Sequence, residues 1–157
     1  MSEKNNAATG GRELVLTRVF DAPRELVFKA WTDPKQVAKW WGPHGYSNPV
    51  CDWEARPGGA ILIHMEGPTG KHPMTGVFKE VVPPVRLVFT ALVPGEKGEI
   101  LLENLNTATF EAQGEKTKLT LRVQVLRSTD EAVPMLAGMK VGWSQSLEKL
   151  VGLLIKA

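Results

Sequence analysis

The sequence holds one cysteine, Cys51, in 157 residues. A lone cysteine excludes an internal disulfide and fits a reducing compartment. No charge sign dominates: 19 basic residues stand against 17 acidic ones. There is no basic stripe of the kind that phosphate binding needs, and no Phe/Tyr-rich RNA motif, so nucleic acid is not an expected partner. No apolar run approaches the roughly 20 residues that span a bilayer. Met1 to Gly11 is polar and carries no apolar signal-peptide core. These absences predict a cytoplasmic protein with a disordered tail over residues 1–11. With no internal repeat or linker, and 43% hydrophobic residues, residues 12–157 are expected to form one domain around one core.

What is present concentrates early. Three of the five tryptophans, Trp31, Trp40 and Trp41, fall between Val19 and Pro43. Tryptophan is expensive to leave in water and covers a cavity well. Pro23 suits the first turn of a helix, with Asp21 as its expected N-cap. Leu26, Val27, Ala30 and Trp31 give that helix an apolar face. Asp33-Pro34 starts a second short helix with Val37, Trp40 and Trp41 inward, and Gly42-Pro43 ends it. The segment reads as a gate laid across a sheet.

Around it the hydrophobic period is two. Leu14, Leu16 and Arg18 alternate with Val15, Thr17 and Val19. From Ser47 onward, runs of alternating residues are separated by Pro57-Gly58-Gly59, Gly67-Pro68-Thr69-Gly70, Pro83-Pro84, Pro94 to Gly98 and Gln113 to Lys116. The last run is the cleanest, with Leu119, Leu121, Val123 and Val125 on one face. Short turns between successive strands mean antiparallel neighbours. The period then changes to that of a helix: Leu136, Met139, Trp143, Leu147, Leu150 and Leu154 form one stripe. From Pro134 to Lys156 this helix would be about 34 Å long, enough to cross a sheet. Gly138, Gly142 and Gly152 weaken it by up to about 1 kcal/mol each, which suggests close approach to the sheet or to something bound.

The predicted class is α+β: one strand, two short helices, six strands and a long helix, the sheet curling around that helix. Here the chain resembles the activator-of-Hsp-90-ATPase homologue family of the START-like (SRPBCC, Bet v-like) superfamily. The resemblance rests on Arg18-Val19-Phe20-Asp21-Ala22-Pro23, Ala30-Trp31-Thr32-Asp33-Pro34, Trp40-Trp41-Gly42-Pro43, Arg56-Pro57-Gly58-Gly59, Pro83 to Val88 and Gly142-Trp143-Ser144, in order from residue 12 on. It implies a helix-grip fold with a hydrophobic cavity between helix and sheet. Function is not implied with it, because that superfamily spans lipid carriers, hormone receptors, polyketide cyclases and chaperone-binding domains.

Chemistry is thin. His44, His64 and His72 share no metal-ligand spacing with one another or with Cys51, so no metal is expected; His44 and His72 read as loop residues. Gly67-Pro68-Thr69-Gly70-Lys71 lacks the spacing and the helix of a phosphate loop. Ser144 sits inside a helix, not on a nucleophile elbow. Catalytic carboxylates would need burial against an apolar wall; Glu54 and Glu80 are the weak candidates. The residues expected to touch a ligand are Trp40, Trp41, Trp53, Met65, Phe78, Phe89, Met139 and Trp143, an adaptable wall of sulfur and aromatic rings. No cofactor is expected. The expected function is binding of a small hydrophobic or aromatic ligand. The alternatives are a cyclase- or hydrolase-type enzyme and a domain that docks on an Hsp-90-type chaperone. A monomer is expected, or a weak homodimer paired through an exposed strand edge.

Overall fold

The computed structural model describes residues 13–156. The expected tail, residues 1–11, lies outside them, as does Arg12. Strand β1 (Glu13–Phe20) leads into helices α1 (Arg24–Thr32) and α2 (Pro34–Trp40). Six strands follow: β2 (Ser47–Trp53), β3 (Ala60–Gly67), β4 (Gly70–Val82), β5 (Arg86–Pro94), β6 (Ile100–Gln113) and β7 (Lys116–Ser128). A 3-10 turn (Asp130–Ala132) delivers the chain to α3 (Val133–Lys156). The strands form one antiparallel sheet in the order β1-β7-β6-β5-β4-β3-β2, so β1 closes onto the last strand. This is the helix-grip arrangement, with α3 across the concave face.

Alternation decides which side chains enter the core. On β7, Thr117, Leu119, Leu121, Val123 and Val125 are all buried, while Arg122 between them is exposed. Leu16 and Phe20 of β1 pair opposite Leu121 and Thr117 and face the same way. Arg122 instead reaches across the outer face to Glu13, its Nε and Nη2 each donating to one carboxylate oxygen at 2.9 Å. The register shifts by one residue at Lys79 on β4 and at Leu126 on β7, the latter opposite Glu103 and Asn104 of β6. Such bulges bend strands and increase twist, which supplies the curl.

The helix starts differ in one respect from expectation. Asp33 caps α2 as predicted, its side chain accepting from the Lys35 backbone N–H. Asp21 does not cap α1. Pro23 itself is the N-cap, with its carbonyl accepting from Leu26 and Val27 at 3.0 and 3.2 Å. No side chain caps α1, so its start rests on the proline's fixed φ. The glycines of α3 also correct an expectation: a Cβ at Gly138 or Gly152 would meet nothing within 4 Å, so neither marks a close approach. No helix among the described residues is long and apolar enough to cross a membrane.

Candidate functional site

The gate is built on the end of α1. A helix leaves its last carbonyls without intrahelical partners. Here two indoles supply them: Trp40 Nε1 donates to Ala30 O at 2.9 Å, and Trp53 Nε1 to Trp31 O at 2.8 Å. Both tryptophans are thereby fixed in the core. Trp31 stacks on Trp143 of α3 at 6.0 Å and 10°, and Trp41 meets Trp143 edge-on at 5.1 Å. All five tryptophans thus form one connected cluster.

After Trp41 the chain is tied to α3. Gly42 N–H donates to Ser146 Oγ and His44 N–H to Gln145 Oε1, both at 3.0 Å. His44 Nε2 lies 3.0 Å from Glu148 Oε1, and Lys149 Nζ donates to Pro43 O at 3.3 Å. Partial burial of that ammonium lowers the Lys149 pKa. Gly42 has φ +95°, and a Cβ there would lie 2.7 Å from Met65 Sδ. Only glycine lets this turn lie against the sheet.

Beyond the gate, packing is incomplete. The C-terminal half of α3 buries Leu147 and Leu150 in the main core. Its first turns pack Met135, Leu136 and Met139 around a smaller cluster of Leu102, Val125 and Ala132. Between the two clusters the sheet offers short side chains, Ala91, Asn104 and Asn106, and the helix above offers Gly142. Short residues on both sides leave a pocket of about 230 Å³. Trp41, Pro43, Trp143 and four of the chain's five methionines, Met65, Met74, Met135 and Met139, wall it. No ionisable side chain lines it. A larger depression of about 530 Å³ adjoins it through Val93 and Met135, but its other walls, such as Lys71, Lys97, Glu99 and Glu131, are charged and exposed.

The floor is unusual in its polarity. Asn106 is 1% exposed and Asn104 8%. Asn104 Oδ1 and both Oδ1 and Nδ2 of Asn106 make no hydrogen bond among the described residues. A buried amide atom left unpaired costs about 1–3 kcal/mol. These two residues occupy the inward positions of β6 in the run Leu102, Asn104, Asn106, Ala108, Phe110, opposite Ala91 and Phe89 of β5.

The eight residues expected to touch a ligand divide evenly. Trp41, Met65, Met139 and Trp143 line the pocket. Trp40, Trp53, Phe78 and Phe89 do not; each is at most 3% exposed and packs in the core beneath the gate. Beneath the gate the interior is therefore filled by the protein's own rings, and the pocket lies under the first half of α3. Gly142 belongs to that space: a Cβ there would sit 3.7 Å from Pro43 Cγ, so the helix does not approach the sheet. The two candidate carboxylates lie elsewhere. Glu54 pairs with Arg56 at 2.9 Å and Glu80 with Arg86 at 2.6 Å, all four about half exposed or more. Neither carboxylate has the apolar wall that acid chemistry needs, and neither lines the pocket. His72 is a strand residue of β4, not a loop residue, with Nε2 2.7 Å from Thr69 Oγ1. Among the described residues no three His, Cys, Asp or Glu side chains group to hold a metal. Burial pushes the Cys51 thiol up to about 11, and neighbouring Asp52 adds to it, which leaves little thiolate at neutral pH.

The family model described as "Activator of Hsp90 ATPase homolog 1-like protein" matches residues 21–154. No curated protein matches. Among solved structures, a protein from Nitrosomonas europaea is 26% identical with a TM-score of 0.79, the match covering 94% of this chain and 96% of that one. One from Chromobacterium violaceum is 29% identical, also at 0.79, covering 90% and 95%. The AHSA1 protein from Silicibacter pomeroyi is 26% identical at 0.79, covering 92% and 98%.

Proposed function

We propose, because the chain belongs to the activator of Hsp90 ATPase homolog 1-like protein family and carries an apolar pocket under its last helix, that it binds a small, largely hydrophobic or aromatic molecule there. The observation that carries this reading is the lining: four methionines and two tryptophans around about 230 Å³, with no ionisable group. Thioether and indole walls adapt to ligand shape and reward apolar contact. A binding module fits that lining better than an enzyme does, since no ionisable acid or base lines the space and its one hydroxyl, Ser146 Oγ, accepts from Gly42 N–H and donates to Gly142 O. The single cysteine supports a reducing, cytoplasmic setting.

An NMR titration with naphthalene tests the reading. The indole N–H signals of Trp41 and Trp143 should move saturably, while those of Trp40 and Trp53, held by backbone carbonyls, should move least. Failure of Trp41 and Trp143 to respond would remove the proposal. The family's description favours a second reading, docking on an Hsp90-type chaperone. Chaperone ATPase turnover that stays unchanged at saturating concentrations of this protein removes it.

A further inference from the structure

Building on that binding reading, we propose that Asn106, with Asn104 beside it, selects a neutral ligand that carries an adjacent hydrogen-bond donor and acceptor on a compact apolar body, as a lactam or carboxamide does. Both asparagines lie on the floor of the pocket, buried, with amide atoms unpaired. The Asn106 amide offers one acceptor, Oδ1, and one pair of donors, Nδ2, on the same edge. A ligand whose N–H sits next to its C=O meets both at once through two parallel hydrogen bonds. A hydrocarbon meets neither, and an ether or ketone meets one.

Charge narrows the class further. None of the residues lining the pocket is ionisable, so an ionised head group would enter without a counter-charge. Size narrows it again. A dry cavity of about 150 Å³ holds a benzene, so about 230 Å³ suits a bicyclic body of roughly ten to fourteen non-hydrogen atoms. The local register supports a built site. Glu103 pairs with Arg127 and Asn104 with Val125, so Leu126 is an extra residue opposite this point of β6. Bulges of this kind re-aim side chains beside binding sites.

Calorimetric titration of the whole protein with three probes of similar shape tests the proposal: 2-quinolone, naphthalene and 2-naphthoate. On the unmodified protein 2-quinolone should bind about 10- to 100-fold more tightly than naphthalene, the worth of two neutral hydrogen bonds. The naphthoate should bind no more tightly than naphthalene. Asn106→Leu should bring the first two probes to within about 3-fold of each other by weakening 2-quinolone, and Asn104→Leu should reduce the quinolone advantage in part. Equal affinities for 2-quinolone and naphthalene on the unmodified protein, a tighter naphthoate, or an advantage that survives Asn106→Leu would overturn the selection by Asn106 and leave the pocket's apolar binding standing. Binding of none of the three would overturn both. The comparison on the unmodified protein needs no variant to fold.

Discussion

Asn106→Leu should make the protein more stable, although it replaces a fully buried residue at the centre of the sheet. Two amide atoms of Asn106 are buried without partners. At about 1–3 kcal/mol for each such group, the side chain carries a penalty of a few kcal/mol that leucine does not. Leucine adds about 1.5–3 kcal/mol of apolar burial when fully covered. Part of its side chain would border the pocket, so only a fraction of that applies. Leucine has as many side-chain heavy atoms as asparagine, and the pocket accepts its bulkier methyl groups without overpacking. A net gain of about 2–4 kcal/mol follows. In a chain of this length that raises Tm by roughly 5–12 °C, or the urea midpoint by about 1–2 M at a slope near 2 kcal/mol per M. Urea unfolding followed by far-UV circular dichroism measures it. The isosteric control, Asn106→Asp, should do the reverse. Its buried carboxyl has a raised folded pKa, so the folded state binds the extra proton and stability falls as pH rises through the range between the unfolded and folded values. An Asn106→Leu midpoint equal to or below that of the unmodified protein would refute the reasoning, because it would mean the amide is paired and stabilising where it stands.

Other consequences are smaller and independent. Cys51, with its pKa raised to about 11 from 9.0, should react with an aromatic disulfide at pH 8 about 10-fold more slowly in the folded protein than in urea, its smaller thiolate fraction being partly offset by the greater nucleophilicity of that thiolate; equal rates would contradict its half-buried placement. Gly138→Ala, at an open helical position, should stabilise by about 0.5–1 kcal/mol, and a lower thermal midpoint would show that α3 needs glycine there. Glu54→Gln and Glu80→Gln remove exposed ion pairs and should change stability by less than about 1 kcal/mol while leaving naphthalene binding unaltered. Glu13 is held below its usual pKa by its hydrogen bonds from Arg122 and then by the guanidinium charge. Its contribution is therefore present above pH 4.5 and lost as pH falls through the lower folded value. Arg122→Met should flatten that part of the acid unfolding profile, and an unchanged profile would show the pair contributes nothing.

Most of the architecture was legible because period and punctuation agree at most elements. The run Leu119, Leu121, Val123, Val125 reads as a half-buried strand, the stripe from Leu136 to Leu154 reads as a helix, and the turns leave no room for crossovers. The division between core and pocket was not legible, for local reasons. Trp40 and Trp41 are consecutive, and which one enters the core depends on where α2 stops; it stops at Trp40, and Trp41 turns out with extended backbone. Phe78, Phe89 and Trp53 share the chemistry of a ligand wall, but their depth follows from sheet curvature, which no single strand encodes. Asn104 and Asn106 were missed because β6 has no clean face: Leu101, Leu105 and Thr107 on one side look as apolar as Leu102, Ala108 and Phe110 on the other. The signal that points to them is the placement of two amides at alternate positions between Leu102 and Ala108, which makes sense only once the inward face is known. The glycines of α3 misled for the opposite reason. Gly142 borders the pocket and lies against Pro43 and not against the sheet, while a Cβ at Gly138 or Gly152 would meet nothing within 4 Å.

The central claim is that a space stays open between the first half of α3 and the floor of Ala91, Asn104 and Asn106. Diffraction from a crystal under xenon pressure addresses it most directly, since xenon enters apolar cavities and scatters strongly. The account predicts a xenon peak bounded by Trp41, Met65, Met139 and Trp143, with those side chains little displaced. No xenon there, with Met139 and Trp143 packed down onto Asn106, would contradict it.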